Sequence, residues 1–270
     1  MTKQSVERKA VPVRTSDGLD LTFWWWDQAK VRSRLLIVSP GFAQHHGTRI
    51  MRHLALELVD QAKADVLGVD FRGMADNPGR YGFGFAEHLD LQEAFRWAKK
   101  MKYKRVELVG FSMGAYIALR ALAIDPGPVK RCYFVSGPTK IEDIVTTLGP
   151  LRQAFALATH WHHIRTRFWA GSQWLFRWDW PLRSKPSAVD FAPRVKVPVH
   201  FLAGAYDQLV LPKLTKAVYE AVKAPKSLTT FPRGQHAEYM ALEERQAFLA
   251  WMKERVDRIE RRKTPRAAPI

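Results

Sequence analysis

Short apolar runs of the kind that form buried strands alternate with segments of helical periodicity along most of this chain. After the N-terminal region, the strand-type runs are residues 34–39, 64–70, 105–110, 129–136, 197–203 and 227–231. Segments with helical spacing stand between them or follow them, including residues 48–62, 87–101, 213–223 and 237–262. Strands separated by helices are joined by crossovers, so neighbouring strands run parallel. The sequence therefore predicts an α/β protein with a doubly wound, mostly parallel sheet whose active site lies at the carboxyl ends of the strands.

The N-terminal region has a different pattern. Two strand-type runs, residues 10–14 and 19–26, flank the turn sequence Ser16-Asp17-Gly18. An Asp-Gly pair between two such runs is typical of a hairpin. We therefore expect the sheet to begin with an antiparallel hairpin.

Length and composition bound the class of protein. A chain of 270 residues with 47% hydrophobic content can bury a large core, and we expect one domain over residues 1–270. No run approaches the ~18 apolar residues that a membrane-spanning helix needs. Cys132 has no second cysteine to pair with, and the first residues contain no apolar signal region. These features predict a cytoplasmic protein.

The chain is strongly basic, with 43 lysine and arginine residues against 26 aspartate and glutamate residues and a net charge of +17. Such a charge attracts nucleic acids, anionic lipids or acidic substrates, but it can equally be a solvated surface. No zinc-finger, RRM, KH or Walker pattern accompanies it, so specific nucleic-acid binding is not predicted. Peripheral contact with an anionic membrane surface remains open.

One serine stands between two glycines at a junction from strand to helix. The sequence Gly110-Phe111-Ser112-Met113-Gly114 follows the third buried run and begins a helix-forming segment. A sharp turn at this point holds the serine in a strained conformation, and the glycines relieve the crowding. Ser112 is therefore a candidate nucleophile, and the Met113 N–H at the helix start is a candidate oxyanion donor.

A serine nucleophile needs a base, and the base needs an acid that orients it. Asp207 follows the strand-type run 197–203, and His236 follows the last run. Both therefore belong to the same sheet edge as Ser112. The alternative interpretation is that each is a turn or helix-capping residue.

Together these features resemble the α/β-hydrolase superfamily. The opening hairpin, the 110–114 turn, the turn containing Asp207 and the turn containing His236 carry the resemblance, which spans nearly the whole chain. Within the superfamily the chain is most similar to small serine esterases and to monoacylglycerol-lipase-like or lysophospholipase-like hydrolases. The resemblance implies Ser112 as nucleophile, His236 as base and then acid, and Asp207 as the orienting carboxylate.

The loop after the first parallel strand should supply the second oxyanion donor. Many relatives have His-Gly there, whereas this chain has Pro40-Gly41. Because the donor is a backbone N–H, Phe42 can still supply it. A second stretch that resembles the family begins at Asp70 and includes Arg72. We interpret these two residues as structural, holding their loop by hydrogen bonds and an ion pair.

A long insertion separates the run ending near residue 136 from the run beginning near residue 197. It exceeds a compact crossover and predicts a helical cap over residues 139–190. Aromatic residues are frequent in it, and Trp161, Trp169 and Trp174 are candidate substrate-binding residues. The alternative is that they only pack the cap on the body. The basic segment 261–270 is expected to be a disordered tail.

The sequence thus predicts a serine hydrolase that cleaves acyl or aryl esters, including lipid-like ones, through an acyl-enzyme intermediate. No cofactor is expected and no metal site is predicted, because the neighbouring histidines His45 and His46 have no carboxylate at helical or strand spacing. Thioester or amide cleavage, carbon–carbon bond cleavage and acyl transfer remain alternatives on the same residues. A non-catalytic binding protein for acidic partners is the alternative from a different class.

Overall fold

A computed structural model describes residues 6–27, 33–140, 142–143 and 185–263 of the chain. Eight strands form a single sheet. They are β1 (Glu7–Arg14), β2 (Asp20–Asp27), β3 (Arg34–Ser39), β4 (Asp65–Gly68), β5 (Arg105–Phe111), β6 (Val129–Val135), β7 (Val199–Gly204) and β8 (Lys226–Phe231).

The strand order is β1-β2-β4-β3-β5-β6-β7-β8. Strands β3 to β8 pair in parallel, whereas β2 is antiparallel to both β1 and β4. The hairpin turns at Gly18, whose φ of 92° suits a residue without a Cβ atom. The predicted mostly parallel sheet with its antiparallel N-terminal hairpin is confirmed.

Helices cover both faces of the sheet. They are α1 (Arg49–Ala62), α2 (Glu87–Lys100), α3 (Met113–Ile124), α4 (Ala188–Phe191), α5 (Pro212–Ala221), α6 (Ala237–Glu243) and α7 (Arg245–Lys263). One apolar cluster joins the sheet to α2, α3 and α4, and a second joins the opposite face to α1, α6 and α7. This double cover explains why the central strands are apolar at almost every position: residues 106–111 of β5 are all buried.

Several sequence-based boundaries need correction, two of which bear on the site. The helix predicted over residues 237–262 is two helices, since Glu244 has a non-helical backbone with φ −101° and ψ 39°. No glycine or proline occurs between Ala237 and Lys263, so periodicity alone could not show the break. Strand β4 ends at Gly68, which leaves Asp70 in the loop beyond it.

Most of the predicted cap lies outside the described residues, including Trp161, Trp169 and Trp174. The two ends of this segment meet in the structure, because the Ala188 N–H donates to the Thr139 carbonyl at 2.7 Å. The chain therefore leaves and re-enters the body at one place. The first three residues of the predicted tail belong to α7, and residues 264–270 lie outside the described part.

Among the helices of the described part, none is both long enough and apolar enough to cross a membrane.

Candidate active site

The serine turn has the strained geometry that its sequence predicts. Ser112 has φ 50° and ψ −124° and lies between β5 and α3. A Cβ atom at Gly114 would come within 2.2 Å of the Ser39 carbonyl oxygen, and one at Gly110 within 2.6 Å of the Ala115 Cα atom. Only glycine fits at these two positions, so the close packing of the turn fixes where the serine points.

Ser112 and His236 are hydrogen-bonded although 124 residues separate them. The distance from Ser112 Oγ to His236 Nε2 is 2.8 Å. His236 follows β8 and precedes α6, and its ring makes no capping hydrogen bond to that helix. The imidazole therefore faces the serine, in a position where Nε2 can accept the hydroxyl proton.

Asp207 completes a line of three side chains. Its Oδ2 atom lies 2.8 Å from His236 Nδ1, while Oδ1 accepts the backbone N–H groups of Leu209 and Val210 at 3.0 and 2.8 Å. The carboxylate thus stabilises its own turn with one oxygen and faces the imidazole with the other. The turn position expected under the alternative interpretation is therefore compatible with a carboxylate oxygen directed at the imidazole.

The electrostatic surroundings favour a protonated imidazole. Burial alone would lower the pKa of His236, but the charge and hydrogen bond of Asp207, together with the charge of Glu238, raise that pKa above its ordinary value of 6.5. An imidazolium formed by proton transfer from Ser112 would be stabilised by the same groups.

The loop after β3 lies against the serine turn. Ser39 Oγ donates to the Gly114 carbonyl at 2.8 Å, and residues 41–44 form a turn closed by a 3.1 Å bond from the Gln44 N–H to the Gly41 carbonyl. The Gly41 N–H donates to the carboxylate of Glu238 at 2.6 Å. Within this loop we therefore assign Phe42 as the candidate oxyanion donor. Met113, at the first position of α3, is the other, because the first N–H groups of a helix lack intrahelical acceptors.

Sequence analysis missed Glu238. It occupies the first turn of α6 and is buried, with 3% of its surface exposed. The signal in the sequence is an acidic residue two positions after His236, and an acid in the first turn of a helix is common for its favourable interaction with the helix dipole alone. Its contact with the loop after β3 spans 197 residues, so spacing could not predict it.

The stretch from Asp70 to Arg72 makes the hydrogen bonds and ion pairs that the structural interpretation expects, and its partners come from other segments. Arg72 binds Asp90 at 2.6 Å and Asp17 at 2.6 Å, whereas Asp70 is bonded to His46. Two acids from separate segments bind the guanidinium together, which local spacing does not reveal.

Within the described residues, one group of side chains has the chemistry of a metal site. Ligand atoms of His45, His46 and Asp70 lie within 4.8 Å of one another. The carboxylate comes from the loop after β4, which explains why the sequence spacing showed none. Asp70 accepts the His46 backbone N–H at 2.8 Å and also contacts the His46 ring, while His45 Nδ1 accepts the Gly47 N–H at 3.1 Å. These bonds are sufficient to explain the cluster as a brace for the loop.

Family comparisons match both halves of this architecture. The family model described as alpha/beta hydrolase fold matches residues 34–161, and the model of acetyl xylan esterase matches residues 186–255. These matches, together with the fold, support membership in the α/β-hydrolase superfamily. Its matches within that superfamily lie among hydrolases and esterases.

Several solved structures share the fold. An esterase from Pyrococcus furiosus, Pf2001, superposes with a TM-score of 0.71 at 22% identity, covering 94% of this chain and 93% of that one. Est1E from Butyrivibrio proteoclasticus superposes with a TM-score of 0.64 at 17% identity, covering 92% of this chain and all of the other. Dipeptidyl aminopeptidase BIII from Pseudoxanthomonas mexicana is 27% identical over 185 residues, or 63% of this chain. The chain spans only about a quarter of the length of that curated relative.

Proposed function

We propose that the protein is a carboxylic ester hydrolase that works through an acyl-enzyme intermediate. The observation that carries the proposal is the continuous line of hydrogen bonds from Ser112 through His236 to Asp207, with 2.8 Å at each step. The strained turn at Ser112 and the buried carboxylate of Asp207 are the two features that such a nucleophile and such an orienting acid require.

The proposed reaction follows from these positions. Ser112 Oγ attacks the ester carbonyl carbon while His236 Nε2 takes the hydroxyl proton, and Asp207 stabilises the resulting imidazolium. The N–H groups of Phe42 and Met113 hold the oxyanion. His236 then gives its proton to the leaving alcohol. A water molecule activated by His236 attacks the acyl-enzyme and releases the acid and the free serine.

Ester cleavage is our first choice among reactions that the same residues can perform. It is supported by the match of residues 186–255 to the acetyl xylan esterase model and by neighbours whose names describe them as esterases. The similarity to a dipeptidyl aminopeptidase keeps amide cleavage as an alternative. Thioester cleavage and acyl transfer require the same acyl-enzyme and are separated only by substrate tests.

Covalent labelling tests the proposal directly. Intact-mass analysis after incubation with a fluorophosphonate should show one adduct on the wild type and none on Ser112→Ala. Hydrolysis of p-nitrophenyl esters from acetate to palmitate should fall in Ser112→Ala and His236→Ala by a factor on the order of 10⁴ or more. The chain-length profile of the wild type separates a short-chain esterase from a lipase.

Another serine provides a matched control. Ser227 Oγ is 2.9 Å from His200 Nδ1, but both residues lie near the beginning of their strands, at the edge opposite to Ser112. Ser227→Ala should therefore keep full labelling and activity. A folded wild type that takes no label would contradict the proposal and favour a non-catalytic protein that binds acidic partners.

Two further parts of the sequence-based prediction remain proposals. A cytoplasmic location is supported by the free, buried Cys132, whose thiol pKa is raised by burial. Contact with an anionic membrane rests on the net charge of +17 and on the cap, whose aromatic residues lie outside the described part of the chain.

A further inference from the structure

The loop that carries Phe42 is fixed on two sides. On one side the Phe42 ring stacks on Phe83, with ring centroids 5.1 Å apart, and tilts against Tyr81 at 5.7 Å. On the other side the Gly41 N–H donates to Glu238 Oε1 at 2.6 Å. The peptide between Gly41 and Phe42 carries the candidate oxyanion donor. Its orientation therefore depends on both contacts.

Glu238 lies beside the nucleophile as well as beside the loop. A Cβ atom at Gly41 would lie 2.9 Å from Glu238 Oε1 and 3.2 Å from Ser112 Cβ, so the carboxylate and the serine approach the same face of Gly41. A buried carboxylate is costly unless it is hydrogen-bonded, and a bond to an ionised acceptor is stronger than a neutral one. The hydrogen bond from the Gly41 N–H to Glu238 therefore holds the loop in place.

The candidate base His236 and the loop-binding residue Glu238 both lie at the start of one helix. His236 is the residue that precedes α6, and Glu238 is the second residue within it. The first turn of α6 thus fixes the imidazole relative to Ser112 and the oxyanion loop relative to the same serine. A displacement of the loop by about 1 Å is enough to weaken an oxyanion contact by a large factor.

We propose that Glu238 is a positioning residue of the active site: it accepts the Gly41 N–H and thereby aims the Phe42 N–H at the oxyanion. The inference rests on the proposed function, because it assigns a role within that same site. It excludes Gly41 as an oxyanion donor. It also makes Glu238 a residue whose loss weakens transition-state binding more than substrate binding.

The test measures oxyanion stabilisation as well as activity. A trifluoromethyl ketone is the probe: Ser112 Oγ bonds to its carbonyl carbon, the C=O π pair becomes an oxyanion, and the hydroxyl proton passes to His236. In Glu238→Ala, kcat/KM for p-nitrophenyl butyrate should fall by about 10- to 100-fold, mainly through kcat. The dissociation constant of the ketone should rise by the same factor.

Conservative variants separate the hydrogen bond from the charge. Glu238→Gln keeps an oxygen acceptor and should stay within about 3-fold of the wild type at its own optimal pH. Glu238→Asp keeps the charge but withdraws it from Gly41, so its kcat/KM and ketone affinity should lie between those of the wild type and Glu238→Ala. These two variants decide the question even if Glu238→Ala does not fold.

Glu107 provides a matched control. It is another fully buried carboxylate, held by Arg34, Arg105 and Arg131 near the beginning of β5, at the edge opposite to Ser112. Glu107→Gln should lower the melting temperature while leaving kcat/KM and the ketone affinity of the folded enzyme unchanged.

The outcomes distinguish this inference from the proposed function. A Glu238 series that only follows the Glu107→Gln pattern, or a Glu238→Gln variant as impaired as Glu238→Asp, would overturn the positioning role while labelling of Ser112 still supported the hydrolase. A wild type that forms no adduct with either the fluorophosphonate or the ketone would overturn both.

Discussion

Each residue of the candidate site also has a local role in the backbone. Asp207 holds its own turn through Oδ1, Ser112 precedes the first turn of α3, and His236 precedes α6. Because each lies in a turn after a parallel strand, the sequence could place all three at one end of the sheet, and their catalytic roles stay predictions. Glu238 escaped prediction because its partner, Gly41, is distant in the sequence.

The charges around His236 predict the pH dependence of activity. The base must be neutral to accept a proton, and the pKa of His236 lies above 6.5 because Asp207 and Glu238 face it. The rate constant kcat/KM should therefore rise with pH along a limb whose midpoint lies above 6.5. Glu238→Gln removes one negative charge and should move this midpoint to lower pH.

Rates of ester hydrolysis measured from about pH 5 to 9 give the midpoint of the rise in kcat/KM. This midpoint is compared with the ordinary pKa of histidine. Glu107→Gln, which changes a buried carboxylate far from His236, should leave the midpoint in place. A midpoint below 6.5 in the wild type would show that burial, rather than the two acids, dominates the pKa of His236.

At the scale of elements, the packing of α3 against the loop after β3 fixes the serine turn. The predicted strand and helix types are confirmed because periodicity and apolar runs report them directly. The break at Glu244 was not predictable, since residues 237–263 contain no glycine or proline and are compatible with one continuous helix. The Asp70 contact with His46 was hidden for a similar reason, because the two loops follow different strands.

The packing at Gly114 gives a testable stability effect. Its absent Cβ atom would lie 2.2 Å from the Ser39 oxygen and 2.3 Å from the Pro40 oxygen, so Gly114→Ala must displace backbone. We expect a loss of ~1–3 kcal/mol in the free energy of unfolding. Denaturant unfolding followed by tryptophan fluorescence measures this loss.

Gly47 is the control for this substitution. It is exposed, and its added Cβ atom would meet only the movable ring of His45, at 2.9 Å. Gly47→Ala should change the free energy of unfolding by less than about 1 kcal/mol. Equal effects of the two substitutions would mean that the contact between α3 and the loop after β3 is looser than described.

For the whole molecule, the excess of positive charge follows directly from the composition, but the composition does not predict what the charge does. Ion pairs use part of it, such as the three arginines around Glu107. Folding brings distant segments together, so neither the partners of these arginines nor the acids around Arg72 follow from composition. The substrate preference also could not be predicted, because no periodic pattern places the residues of the proposed cap relative to Ser112.

Vesicle binding tests the role of this charge. The protein should co-sediment with vesicles that contain anionic phosphatidylglycerol at low ionic strength and be released by roughly 0.5 M salt, where charges are screened. Pure phosphatidylcholine vesicles are the control. Replacing residues 144–184 by a short Gly-Ser linker should weaken binding, and the meeting of Thr139 with Ala188 allows such a closure. Equal binding of the wild type and the linker variant to the anionic vesicles would contradict the proposal that the cap contacts the membrane.

The point where the chain leaves and returns beside Thr139 also divides the candidate site. Residues up to 143 contain Ser112 and both candidate oxyanion donors, whereas residues from 185 onward contain Asp207, His236 and Glu238. The sheet joins these halves through the parallel pairing of β6 with β7, from Cys132 opposite Val199 to Val135 opposite Leu202. Under the proposed function, a polypeptide cut within residues 144–184 should yield two pieces that each lack part of the site and are inactive alone. Recovery of the proposed ester turnover on mixing the two pieces would then report that they have associated.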